Sequence, residues 1–157
     1  MSNVRNFTLK EFCDSDKAKE LGVDNTLPNA LEPIAMATLE MLQDIRDHLS
    51  AVAGRDVPVV LSSGYRCQRV NRAVGSDDTS DHLKAMAADI RAPAFGTPTQ
   101  IVRELARNLD ALGIGQLILE RPDSDRPWVH VSTRKPSKAI NRVITITAKG
   151  PFAGIQA

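Results

Sequence analysis

The sequence predicts an α+β fold with a mainly antiparallel sheet and helices packed on it. Apolar residues recur at three- and four-residue spacing over residues 31–52, which is typical of an amphipathic helix. From residue 57 onward, short runs rich in β-branched residues alternate with polar turns, and one further helical pattern lies among them. The length of 157 residues suits one domain. We therefore expect a single domain over residues 1–157, on which residues 1–30 pack as a helical and loop segment.

Two short helices are predicted near the N-terminus. Thr8 and Glu11 have the spacing of a capping box, and Phe7 and Phe12 occupy the two hydrophobic-staple positions around it. A second short helix is expected over residues 15–22, because a serine begins the segment and a glycine ends it.

The clearest helix has an apolar stripe made of Leu31, Ala35, Leu39, Leu42, Ile45, Leu49 and Val52. Pro33 is tolerated only in the first turn, so the helix should begin near Asn29 or Ala30. Gly54 should end it. His48 lies beside the stripe, and we expect it at the helix surface.

The remaining elements are short. Strands are predicted at residues 57–62, 86–91, 116–120, 128–132 and 142–147. A short helix should cover residues 68–74. Thr97 and Gln100 form a second capping box, and the helix that follows them is expected to end at Gly113.

Composition excludes several classes of protein. The net charge of +1 gives no argument for binding to nucleic acid or to an anionic membrane, and no apolar run approaches the length of a membrane span. The two cysteines, Cys13 and Cys67, are too few for a disulfide framework, so we expect free thiols. The first residues lack the apolar core of a signal peptide, which predicts synthesis in the cytoplasm.

Three residues form a candidate metal site. Asp89 lies in a small apolar run, where a buried carboxylate needs a partner. His82 precedes it by seven residues, and His130 lies in a predicted strand. Two imidazoles and one carboxylate form a zinc ligand set that leaves a fourth position open, as catalytic zinc sites do. From spacing alone, the alternative is a surface histidine and an aspartate in a salt bridge.

The motifs around these residues resemble those of a known family. The matching positions are Ser63, Gly64, Tyr65 and Arg66, then Asn71 and Gly75, then Ser80, His82, Ala87 and Asp89, and finally Trp128 and His130. The pattern is similar to that of the zinc D-Ala-D-Ala carboxypeptidase and L-Ala-D-Glu endopeptidase superfamily, which includes bacteriophage endolysins and shares its fold with the hedgehog signalling domain. The sequences of residues 7–12 and 25–28 resemble the corresponding segments of the phage and prophage members.

The resemblance implies a Zn²⁺-dependent peptidase that hydrolyses amide bonds in the peptide stem of peptidoglycan and acts on the cell wall after release or delivery. We expect a monomer that binds neither nucleic acid nor membrane. The alternative is a zinc-retaining, catalytically impaired structural or binding protein of a phage virion or assembly. Two departures bear on this choice. Ala85 replaces the family glycine and would be strained at a positive φ, and Pro127 replaces an acidic residue that many members use as catalytic base.

The resemblance also assigns candidate site residues. Arg66 is expected to bind a substrate carboxylate or a developing oxyanion by two parallel hydrogen bonds. Tyr65 and Ser80 should shape the substrate site, whereas Trp128 is equally suited to the core and to the cleft.

The candidate for the general base is Glu120, and the argument is geometric. If the apolar residues of strands 116–120 and 128–132 face the core together, Glu120 lies on the same sheet face as Trp128 and His130. The rivals are Asp125 and Asp123, both in the intervening turn.

Overall fold

Helices come first along the chain in the computed structural model, which describes residues 3–156. Two short helices, α1 (Leu9–Cys13) and α2 (Asp16–Leu21), precede a 3₁₀ turn at Asn29–Leu31 and the long helix α3 (Glu32–Ala53). The predicted order and positions of these helices are confirmed.

Local capping explains where these helices begin and end. The Thr8 hydroxyl oxygen accepts a hydrogen bond from the amide of Glu11 at 3.1 Å, and Ser15 caps α2 in the same way. Gly22 and Gly54 follow α2 and α3 with φ values of 64° and 69°, the left-handed conformation that glycine adopts without strain. These signals are local, which is why the sequence alone places them correctly.

The strands form one six-stranded sheet with the order β1-β2-β4-β3-β5-β6. Their ranges are Val60–Ser63, Ala87–Arg91, Gln116–Glu120, Trp128–Ser132, Val143–Thr147 and Gly150–Ala153 for β1 to β6 in chain order. All neighbouring pairs are antiparallel except β3 and β5, which are parallel. Two helices, α4 (Gln68–Ala73) and α5 (Pro98–Leu105), lie between strands along the chain. The predicted α+β class with a mainly antiparallel sheet is confirmed.

Three elements differ from the prediction, the first being β1, which begins at Val60 and not at residue 57. Helix α5 ends at Leu105, and the chain continues to Gly113 in turns, although Leu112 remains buried as the apolar pattern requires. The strand β6 was not predicted, because Gly150 and Pro151 are unfavourable in strand interiors. It forms at the edge of the sheet, the position where a strand tolerates proline.

The core lies between α3 and one face of the sheet. The α3 stripe packs against inward-facing strand residues that include Ala88 and Ile90 on β2, Leu117 and Leu119 on β3, and Val129 and Val131 on β4. Because side chains alternate along a strand, the residues between them face the opposite side of the sheet. That opposite face carries the candidate site. Among residues 3–156, no helix has the combination of length and apolarity needed to cross a membrane.

Candidate active site

Three secondary-structure elements bring the predicted metal ligands together. His82 lies in a 3₁₀ turn (Asp81–Lys84), Asp89 in β2 and His130 in β4. Asp89 and His130 are direct partners across the antiparallel β2–β4 pair. His82 Nε2 lies 3.3 Å and His130 Nδ1 3.1 Å from the same Asp89 Oδ1. One donor atom from each residue lies within 4.8 Å of the other two, a group that could hold a metal ion.

Electrostatics favour a neutral His82 imidazole beside an ionised Asp89 carboxylate. Burial lowers the pKa of His82, although Asp89 opposes the shift. Burial works to raise the pKa of Asp89, but the charges and hydrogen bonds of His82 and His130 outweigh it and hold that pKa far below its usual range. For His82 and Asp89, the deprotonated forms that bind a divalent cation are therefore favoured near neutral pH.

A backbone contact orients the His82 ring. His82 Nδ1 lies 2.7 Å from the Gly64 carbonyl oxygen, so this nitrogen carries the proton and Nε2 is left to face Asp89. Gly64 in turn packs against α1, where any β-carbon would overlap the Phe12 carbonyl oxygen and ring. The Tyr65 amide also donates to the Phe12 carbonyl, at 2.9 Å. Residue 64 must therefore be a glycine, because a larger residue would collide with Phe12.

The turn after His82 is strained. Ala85 has φ 59° and ψ 23°, which places it in the left-handed region, and it is fully buried. An alanine in this conformation costs about 1–2 kcal/mol. The Thr38 hydroxyl on α3 donates to the Ala85 carbonyl at 2.7 Å and holds the turn in place. The family glycine is therefore replaced at a position where its conformational freedom matters.

An ion pair between buried Asp81 and exposed Arg134 ties together the segments that carry the two histidines. Asp81, next to His82, accepts hydrogen bonds from Arg134 Nε at 2.8 and 2.9 Å and from the Ser132 hydroxyl at 2.9 Å. Ser132 ends β4, two residues after His130. The sequence analysis did not identify this network, and only the adjacency of Asp81 to His82 hinted at it.

The three ligands open into a polar cavity of about 310 Å³. Its lining consists of Arg66, Val74, Gly75, Ser76, Ser80, His82, Asp89, Glu120, Trp128 and His130. The structure thus brings Arg66, Ser80, Glu120 and Trp128 to the metal ligands. The wall from Val74 to Ser76 was not predicted, because a polar loop has no periodic signal.

Arg66 reaches the cavity as a largely buried cation. Its backbone amide donates to the His82 carbonyl at 3.2 Å. Its Nε is buried and has no hydrogen-bond partner within residues 3–156. Burial lowers the pKa of Arg66, and the charges of Asp89 and Glu120 oppose that shift.

Glu120 lies on the predicted face of the sheet, together with Trp128 and His130. It pairs with Trp128 across the β3–β4 ladder, next to the pair formed by Leu119 and Val129. Glu120 therefore shares the outer sheet face with His130 and lines the cavity. Burial raises the pKa of Glu120, His130 opposes the shift, and Asp89 adds to it.

The other predicted residues lie elsewhere. Asp125 lines a separate cavity with Arg91 and Pro127, and Asp123 pairs with Arg121 at 3.0 Å. Tyr65 is buried in the apolar core and is not among the residues that line the cavity. His48 lies 2.9 Å from Glu104 on α5, away from the cavity. Cys13 and Cys67 are free, as expected.

A sequence model of the Peptidase M15 family matches residues 5–132. The chain belongs to this family. The match begins before α1 and ends at the last residue of β4, so it includes every cavity residue, while β5 and β6 lie outside it. The resemblance to D-Ala-D-Ala carboxypeptidase-like zinc peptidases is thereby confirmed. No curated protein matched the chain.

The donor set fits the zinc on which Peptidase M15 enzymes depend. Two imidazole nitrogens and a carboxylate oxygen are typical ligands of catalytic zinc. His82 would offer Nε2, since its Nδ1 faces a carbonyl oxygen, and His130 would offer Nδ1. Family and site together indicate a zinc metallopeptidase.

Proposed function

We propose that this protein is an endolysin-like zinc peptidase that hydrolyses amide bonds in the peptide stem of bacterial peptidoglycan. The observation that carries the proposal is the convergence of His82, Asp89 and His130 in one cavity with a cation, Arg66, and a carboxylate, Glu120. A peptidase of this kind needs a metal site, a base and a group that receives negative charge.

Zinc held by His82, Asp89 and His130 would supply Lewis-acid chemistry by polarising the scissile carbonyl and making water more acidic. The protein contributes the geometry of the ligands. The Gly64 carbonyl fixes the orientation of His82, and the strand pairing fixes Asp89 opposite His130.

Glu120 is the proposed general base. It accepts a proton from the attacking water and returns that proton to the leaving amine nitrogen. Its raised pKa suits this work, because a carboxylate nearer neutrality is a stronger base and can then act as an acid. Glu120 thus takes the role that Pro127, at the usual family position, cannot perform. Asp125 is the rival, but it lines a different cavity.

Arg66 is proposed to bind a substrate carboxylate or the oxyanion, since this cation lines the cavity and its Nε lacks a partner within the described residues. Ser80 and Trp128 are proposed substrate contacts on the cavity wall. Tyr65, buried below them, is proposed to support the Arg66 loop.

Pro127 favours a second candidate. A chain without a base would retain the fold and zinc as a structural or binding protein of a phage virion or assembly. Peptidoglycan hydrolysis separates the two functions, because only the enzyme releases new amino groups from purified cell wall.

The experiment compares zinc content with release of amino groups from purified peptidoglycan. We expect wild type to bind about one zinc and to be active, and His82→Ala to lose both properties. Glu120→Gln should keep zinc and lose turnover by about 100-fold or more, whereas Asp125→Asn should behave as wild type. An inactive wild type with normal zinc content would support the structural alternative. A normal Glu120→Gln beside an inactive, zinc-loaded Asp125→Asn would move the base to the turn.

A further inference from the structure

One buried side chain from the N-terminal segment forms hydrogen bonds with the backbone on both sides of Arg66. Asn25 lies between α2 and the 3₁₀ turn and is 9% exposed. Its Nδ2 donates to the Tyr65 carbonyl at 3.1 Å, and its Oδ1 accepts from the Cys67 amide at 2.7 Å. A third bond, from Nδ2 to the Cys13 carbonyl at 2.9 Å, ties the same side chain to the end of α1. Both chain neighbours of Arg66 are therefore held by one amide.

The chemistry requires an asparagine. Only an amide offers donors and an acceptor on one short planar fork. An aspartate would set a second oxygen against two carbonyl oxygens, and an alanine would leave three backbone groups without this partner. Leaving a buried backbone group without a hydrogen bond costs about 1–3 kcal/mol, so the backbone would move instead.

The position of Arg66 depends on its backbone. Its Nε has no hydrogen-bond partner within the described residues, so no bond at that atom helps to aim the guanidinium. The fixed points around it are the Asn25 bonds to Tyr65 and Cys67 and the bond from the Arg66 amide to the His82 carbonyl. A shift at either neighbour would move the charge relative to the metal ligands.

We propose that Asn25 is the positioning residue for Arg66, so that the N-terminal segment sets the geometry of the substrate-binding cation. Asn25 itself does not line the cavity. The catalytic consequence rests on the proposed function, whereas the structural consequence does not.

The chain offers a matched control in Gln43 on α3. Its side chain is also a buried amide, 1% exposed, and also fastens the N-terminal segment, accepting from the backbone amides of Arg5 and Asn6 at 2.9 Å. Its side-chain hydrogen bonds go to Arg5, Asn6 and Asp47, none of which lines the cavity. Loss of stability alone should therefore be similar in Gln43→Ala and Asn25→Ala.

The first measurement does not need activity. In metal-free and zinc-loaded protein, the Nε–H resonance of Arg66 is assigned by its disappearance in Arg66→Lys. We expect Asn25→Ala and Asn25→Asp to shift or broaden this resonance and Gln43→Ala to leave it in place. An unmoved Arg66 resonance in both Asn25 variants overturns the proposal. If Asn25→Ala does not fold, Asn25→Ser, which keeps a shorter donor and acceptor, takes its place.

The second measurement is peptidoglycan turnover. Asn25→Ala should lose about 10-fold and Arg66→Ala about 100-fold, and the double variant should equal Arg66→Ala, because residues acting through one group are not additive. Gln43→Ala should keep wild-type turnover. Multiplied losses in the double variant, or an equal loss in Gln43→Ala, would contradict positioning. An inactive wild type would refute the proposed function, and the resonance measurement would still decide the role of Asn25.

Discussion

The strained turn after His82 allows a quantitative test through Ala85→Gly. Glycine adopts the observed φ of 59° without penalty, so the substitution should recover the strain of about 1–2 kcal/mol. Against this gain stand two losses. Removing a fully buried methyl group costs about 0.8 kcal/mol, and the greater freedom of glycine in the unfolded chain costs about 0.4–1 kcal/mol.

These terms nearly cancel, so we expect Ala85→Gly to lie within about 1 kcal/mol of wild type in free energy of unfolding. The matched control is Ala88→Gly. Ala88 is also fully buried in the same core cluster, but it lies in β2 and is not among the residues with positive φ. Ala88→Gly incurs both losses and relieves no strain, so this variant should be less stable than wild type by roughly 1.2–1.8 kcal/mol.

The assay is urea unfolding of both variants with a chelator present, so that zinc binding does not contribute. The difference between the variants should be about 1–2 kcal/mol, equal to the strain, or about 2–8 °C in melting temperature for a chain of this size. Equal losses of stability in Ala85→Gly and Ala88→Gly would refute the claim that the turn stores strain. It would mean that Thr38 and α3 accommodate alanine at this φ without cost.

Three further outcomes follow from the site. Because burial lowers the pKa of His82 below its unfolded value, the metal-free protein should lose stability as the pH falls below about 6.5. In chelator-treated samples, His82→Gln should flatten this part of the plot of unfolding free energy against pH. An unchanged slope in His82→Gln would contradict the prediction. Burial raises the pKa of Glu120, so the protonated side chain favours the folded state, and this contribution is lost as the pH rises above about 4.5. Glu120→Gln should therefore raise the free energy of unfolding of the metal-free protein at pH 7. Gly64→Ala should weaken zinc affinity about 10–100-fold in chelator competition, since its β-carbon would displace the carbonyl that orients His82; wild-type affinity would refute this role.

Local chemistry explains what the sequence predicted well. The caps at Thr8, Ser15 and Thr97 each depend on residues within one helical turn, and all three are observed. The register of β3 and β4 followed from the rule that a one-residue slip would turn the apolar residues outward, so Glu120 was placed opposite Trp128.

Features that depend on distant partners were missed. A long connection separates the parallel partners β3 and β5 along the chain, and no residue pattern within either strand indicates that they pair. Asn25 looks like an ordinary loop residue until the fold brings Tyr65 and Cys67 to it. Likewise, buried Asp81 needs Arg134, more than fifty positions later in the chain, to form its ion pair. Such contacts are properties of the tertiary structure alone.

The ion pair of Asp81 and Arg134 has a consequence for how the candidate metal site is held together. The pair and the Ser132 hydroxyl join the chain beside His82 to the chain beside His130 without using a metal ligand. This link does not depend on a bound ion, so it is available to hold the two ligand segments together in the metal-free protein.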